Sequence, residues 1–188
     1  MKNNYFVQAW LVIALSLAFG AALAAVDKSL AGKIEQNKLA DTRGQIPALV
    51  PGATGGEDFT VDGKVVYRAL DAGGKQVGWV IPATGQGFAD VIELLIGLDA
   101  KAQTITGVYV LAQKETPCLG DNITKPPFTG QFPGKNTAAP LEIVKGQAAE
   151  GTNQVQAVSG ATVSSTSVAG IVNDTVTAWR DKLAAAAK

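Results

Sequence analysis

At 188 residues, 47% of them hydrophobic, the chain is long enough for one folded domain with a short appendage and too apolar to be disordered throughout. Its 16 basic residues balance 16 acidic ones, so no net field draws it onto nucleic acid. With no histidine and a single cysteine, Cys118, it holds no Ser-His-Asp triad, no histidine-ligated zinc or haem, no intrachain disulfide and no four-cysteine cluster, which leaves carboxylate chemistry or a borrowed cofactor.

Phe6 to Val26 reads FVQAWLVIALSLAFGAALAAV, 21 residues without a charge. About 20 apolar residues suffice to cross the hydrocarbon core of a bilayer. Lys2 before the run and the Asp27-Lys28 pair after it predict a cytoplasmic amino terminus, a single pass through the inner membrane and a domain on the periplasmic or extracellular side. Tyr5 and Trp10 fit interfacial anchors or lipid-facing bulk. A cleaved signal peptide is the rival reading, because Ala22-Leu23-Ala24 before Ala25 satisfies the small-residue rule, but its apolar core is usually only about 7–15 residues long.

Leu30, Ile34 and Leu39 among charged residues predict a short amphipathic helix over 27–39 that continues or follows the span. Thr42 to Thr60, with Pro47, Pro51 and four glycines, predicts an irregular lead. The chain divides on this reading into an anchor with its stub (1–26), a juxtamembrane helix and linker (27–60) and a globular domain (61–188). Strands are predicted at Lys64–Leu70, Gln76–Ile81, Val91–Leu98 and Thr104–Ala112, in an antiparallel meander turning at 71–75 and 99–103. Alternation is clean at Ile105, Val108 and Val110 and blurred in VIELLIGL, as for a strand covered on both faces. Gly85-Gln86-Gly87 opens like a dinucleotide fingerprint but lacks the third glycine and the βαβ setting.

The stretch PCLGDNITKPPFTGQFPG is too interrupted for a long element, yet Leu119, Ile123, Phe128 and Phe132 require it to pack on something. A short strand around Val155–Val158 follows. Val168, Ile171, Val172, Val176, Trp179 and Leu183 then recur at three- and four-residue steps, predicting an amphipathic helix capped by Ser164 or Ser165 and fraying through its alanines towards Lys188. The fold class is α+β: an N-terminal transmembrane helix, an antiparallel-sheet domain and a C-terminal helix.

Ser159-Gly160-Ala161-Thr162 stands between that strand and that helix, where free backbone amides meet the positive end of the helix dipole. Gly160 would let a phosphate approach the backbone, and Ser159, Thr162, Ser164, Ser165 and Thr166 add hydroxyls. On local chemistry alone this is either a phosphate site or a serine-rich cap. The wider segment VQAVSGATVSSTSV, however, resembles the flavinylation segment of the FMN-binding domain family, found in the G subunit of Rnf electron-transport complexes and the C subunit of sodium-pumping NADH:quinone reductase. Glu115-Thr116-Pro117-Cys118-Leu119-Gly120-Asp121 is similar to the family's Glu-Thr-Pro-Gly-Leu-Gly turn, and Phe128-Thr129-Gly130-Gln131-Phe132 and Gly134-Lys135 follow at similar spacing. With the span and strands, the similarity covers nearly the whole chain.

The resemblance implies FMN held covalently through its phosphate on Thr162, with Ser159, Gly160, Ala161 and Thr166 near the phosphate and Thr116, Pro117, Leu119 and Gly120 along the ring. Glu115 would close its turn by a hydrogen bond; no catalytic residue and no metal ligand is implied in this chain. The implied function is electron transfer in an ion-translocating complex, with iron–sulfur and second-flavin subunits and a flavin transferase as partners. The short length leans toward the Rnf type rather than the quinone-reductase type. Two other classes remain: a free-standing FMN reductase, and an exported binding module in which SGAT only caps a helix. Cys118 replaces the family's usual glycine, which predicts strain if that position has a positive φ, and Gln156 replaces its common aspartate.

Overall fold

The computed structural model describes residues 5–186, with side chains from Ala9 onward; Lys2, Lys188 and the side chain of Tyr5 lie outside the described residues. The chain falls into two compact units, one ending at Ala40 and one beginning at Asp41. Helix α1 spans Tyr5–Leu49. Within Ala9–Leu49 it contains a window of mean hydropathy 2.3, long and apolar enough to cross a membrane, and its Trp10, Leu17, Phe19 and Leu23 are exposed. The helix predicted over 27–39 is a continuation of the apolar one.

In the second unit, the irregular lead expected over 42–60 is replaced by regular structure: α1 continues to Leu49, and strand β1 follows at Gly55–Val61. Pro47 lies within the last turn of the helix, where its missing N–H costs one bond to the preceding turn. Packing outweighs local propensity there, since Ile46, Leu49 and Val50 are at most 4% exposed. A five-stranded antiparallel meander follows in sequential order, with β2 at Lys64–Leu70, β3 at Gln76–Gln86, β4 at Val91–Asp99 and β5 at Ile105–Ala112. Strand β3 outruns its prediction by five residues, through Pro82. Strand β2 pairs with β3 only as far as Val80, so the proline falls where β3 has a partner on one side, the position in a sheet that tolerates it.

The blurred pattern of VIELLIGL is a strand buried twice over. On one face, Ile92, Leu94, Ile96 and Leu98 join Trp79, Ile81, Val108 and Val110 against helix α3 (Thr162–Ala186), whose Val168, Ile171, Val172, Val176 and Leu183 form the other half of the core. On the opposite face, Leu95 and Val80 meet Ile46, Leu49 and Val50 at the end of α1. That second contact depends on glycine. Gly97 and Gly107 are directly opposite in the β4–β5 ladder, and a Cβ at Gly97 would lie 2.7 Å from the Leu49 carbonyl oxygen. Two adjacent strands without side chains thus let a helix backbone settle onto the sheet.

The connection from β5 to α3 is short-range structure around three buried side chains. A 3₁₀ turn (Gly120–Thr124) and the one-turn helix α2 (Pro126–Thr129) bury Ile123, Phe128 and Phe132, the two rings meeting edge to face at 5.3 Å. A parallel two-stranded ladder follows, β6 (Glu142–Val144) with β7 (Gln154–Gln156), so the strand expected at 155–158 is shorter and ends before Ser159.

Gly97→Ala should destabilise the full-length protein by about 1–3 kcal/mol, as overpacking of a filled interior does. Urea denaturation in detergent, followed by tryptophan fluorescence, reads the difference; an unchanged midpoint would mean that α1 does not need the bare glycine surface.

Candidate functional site

Helix α3 begins at Thr162, two residues before the earlier of the two serines expected to cap it. Both serines lie inside the first turn and are buried. The Ser165 hydroxyl donates to the Ala161 carbonyl at 2.9 Å and accepts the Val158 N–H at 3.0 Å, which folds the 158–161 segment back onto the helix start. Ser164 reaches outward instead, donating to Glu115 Oε2 at 2.6 Å. No acidic residue occupies the first turn of α3 itself, so its leading amides keep their attraction for an anion.

Glu115 is 4% exposed and is the centre of the site. Its Oε1 accepts the N–H groups of Phe88 at 2.9 Å and Ala89 at 3.1 Å, while Oε2 takes the Ser164 hydroxyl. One carboxylate therefore fastens together the β3–β4 turn, the 115–121 turn and the start of α3. Its neighbours have room for nothing else. A Cβ on Gly87 would sit 2.3 Å from Oε1, and one on Gly120 would sit 2.9 Å from Oε2. Outside this bridge, Lys114 donates to Asp90 at 2.8 Å; that bond, helped by the Val91 N–H, holds the Asp90 carboxyl below its ordinary range and raises the Lys114 ammonium.

These contacts frame a recess of about 270 Å³ lined by Phe88, Thr116, Leu119, Gly120, Gly160, Ala161, Thr162, Val163 and Ser164. Six residues singled out in the sequence, Thr116, Leu119, Gly120, Gly160, Ala161 and Thr162, meet here although they come from segments some 40 positions apart. Thr162 lines the recess, and its hydroxyl makes no hydrogen bond among the described residues. Leu119, expected along the ring by resemblance and part of a loop that must pack on something, stays 42% exposed in its wall. Gly160 has a φ of 79°, which strains any other residue, and approaches Leu119 so closely that a Cβ would stand 2.7 Å from Cδ1 and push that exposed side chain aside.

The other expected site residues lie apart. Glu115 is behind the wall as its support. Ser159 faces a neighbouring recess of about 300 Å³ shared with Lys125, Phe128, Gln131 and Gln156. The Thr166 hydroxyl turns back to the Thr162 carbonyl at 2.9 Å, and Pro117 is exposed and lines neither recess. Phe88 and Val163 were not foreseen as lining residues, whereas Ser164, one of the hydroxyls expected at the helix start, is in the lining with its hydroxyl spent on Glu115. The only signal for Phe88 was its place beside Gly87, in a segment that resembled a dinucleotide loop. Cys118 is exposed with a φ of 59°, so the strain expected of a cysteine in a glycine position is present. The second motif holds the approach to Ser159: Gln131 Oε1 accepts the Gln156 N–H at 2.7 Å and its Nε2 donates to the Gln156 carbonyl at 3.2 Å.

Residues 87–177 match the family model described as FMN-binding domain. The chain is 36% identical over 124 residues to the G subunit of the ion-translocating oxidoreductase complex of Methanosarcina acetivorans, covering 64% of this chain and 63% of that one. To the G subunit of the proton-translocating ferredoxin:NAD(+) oxidoreductase complex of Clostridium ljungdahlii it is 35% identical over 116 residues, covering 62% and 60%. The crystal structure of Shewanella oneidensis NqrC shares the fold with a TM-score of 0.60 at 29% identity, covering 64% of this chain and 61% of that one. The chain thus spans less than two thirds of the length of these relatives.

Replacing Glu115 by alanine removes the acceptor for two backbone amides and a hydroxyl and should cost about 2–4 kcal/mol. Thermal unfolding of the full chain checks this, and a loss below the experimental error would remove Glu115 from its role as fastener. Conversely, Cys118→Gly should raise stability by about 0.5–1 kcal/mol, the left-handed strain relieved less the entropy that glycine loses on folding.

Proposed function

We propose, from the premise that the chain carries an FMN-binding domain over residues 87–177, that FMN is joined by a phosphoester to Thr162 and that the protein is the electron-relay subunit of an ion-translocating oxidoreductase complex. The observation that carries this reading is the convergence on one recess of the Thr116–Gly120 turn and the Gly160–Thr162 segment, with Thr162 itself in the lining. A dissociable cofactor on an exported domain would be diluted into the surroundings, and a covalent link removes that loss.

The residues present fit such a group. Gly160, without a side chain at φ 79°, keeps the path to the Thr162 hydroxyl clear, and the leading amides of α3 favour the doubly esterified phosphate that still carries one negative charge. Phe88, Leu119 and Val163 offer exposed apolar surface around the attachment point. FMN, once attached, supplies reversible electron transfer, while the chain fixes its position, shields its apolar part and sets the polarity around it. No side chain here needs to move a proton.

The two G-type relatives, at 36% and 35% identity over 124 and 116 residues against 33% over 97 residues for a C-type relative, favour the Rnf type of complex over the quinone-reductase type. Its partners are then the other membrane subunits, iron–sulfur and second-flavin subunits among them, and a flavin transferase for maturation. The apolar part of α1 anchors the chain in the inner membrane, and the charges flanking it put the domain on the outer side.

Co-expressed with a flavin transferase, the protein should give a fluorescent band on a denaturing gel under ultraviolet light. Thr162→Ala should abolish the band and leave the melting temperature unchanged, whereas Thr166→Ala should retain it. A fluorescent Thr162→Ala band would move the attachment elsewhere, and a dark wild-type band would remove the covalent flavin.

A further inference from the structure

One wall of the Thr162 recess belongs to no motif, namely the tip of the β3–β4 hairpin at residues 87–90. Phe88 there leaves 65% of its surface exposed, more than Leu119 or Val163 in the same recess. Large apolar surface left in water on a folded domain marks a place where something binds. Yet the backbone beneath this ring is tied down on every side. The Gly87 N–H donates to the Asp90 carbonyl at 2.9 Å, the Phe88 and Ala89 amides both reach Glu115 Oε1, and Lys114 grips Asp90. Gly87 itself is wedged against the Glu115 carboxylate, with no space for a Cβ.

Free hairpin tips do not need a buried carboxylate to hold them. This one is fastened by the same group that fastens the first turn of α3 through Ser164, so the backbone that carries the Phe88 ring is fixed relative to the helix start through a single side chain. Ring, attachment hydroxyl and the two aliphatic side chains Leu119 and Val163 come from three separate segments and share one recess. An aromatic face held beside an attachment point suits a flat conjugated ring better than a phosphate or a flexible chain.

Resting on the reading of Thr162 given above, we propose that Phe88 is the aromatic contact for the isoalloxazine of the Thr162-linked FMN, and that Glu115 is the positioning residue that sets this contact. The chain then meets its cofactor at two points, a phosphate held at the start of α3 and a ring held at the hairpin tip.

The test uses the full-length protein in detergent, loaded with covalent FMN, and reads the flavin rather than turnover. Because Phe88 is exposed, its substitutions leave the fold intact. A tryptophan in contact with a flavin quenches its emission by electron transfer, so Phe88→Trp should lose flavin fluorescence several-fold at equal loading. Lys101→Trp, in the turn at the opposite end of β4, should not. Phe88→Ala should raise the iodide quenching constant of the flavin, because one face of the ring is uncovered. Full loading with unchanged emission in Phe88→Trp and an unchanged iodide constant in Phe88→Ala would overturn the Phe88 contact and leave Thr162 standing. A wild-type protein without covalent flavin would overturn both.

Discussion

A single buried carboxylate holds the site together. Glu115 lies 27 residues from one of its donors and 49 from another, and it accepts from a hairpin tip and a helix start that have no other direct hydrogen bond to each other among the described residues. Burying a carboxylate is expensive unless it is hydrogen-bonded, and here three donors and two bare glycines surround it. The arrangement is demanding in its geometry, and for that reason it is specific. With Glu115 satisfied, the recess beside Thr162 has its shape before any ligand arrives.

The sheet supports this from below. Its β4 strand is buried on both faces, against α3 on one side and the end of α1 on the other. The two layers are made in different ways. Branched side chains interlock with α3, whereas the cross-strand pair Gly97 and Gly107 clears a space for the Leu49 backbone. The helix that carries Thr162 is thus set on the thicker side of the sheet, anchored along its length by Val168, Val172, Val176 and Leu183, and its first turn lines the recess.

Much of this was legible in the residues, and the exceptions have identifiable causes. The meander, the double burial of VIELLIGL and the C-terminal helix follow from apolar periodicity, which burial enforces. Strand β1 was hidden by Gly55, Gly56 and Asp58, poor strand formers whose pairing is imposed by β2; the Asp62-Gly63 turn, with φ of 51° and 75°, was the overlooked sign of that hairpin. The start of α3 was placed late because Ser164 and Ser165 look like caps, while their hydroxyls are spent on Glu115 and on the Ala161 and Val158 backbone. Phe88 left no periodic trace at all, since its position depends on a contact with a residue 27 places away.

The amide of Gln131 grips residue 156 only through its main chain, one bond to the N–H and one from the carbonyl. Such a clamp is blind to side-chain identity. The strand leading to SGAT would be held in the same place with glutamine, aspartate or any other residue that keeps its N–H at 156, and the Gln156 side chain is exposed. On the proposed attachment of a flavin to Thr162, architecture and address are therefore separable at this position: the residue a transferase would read there can change without disturbing the support beneath that threonine.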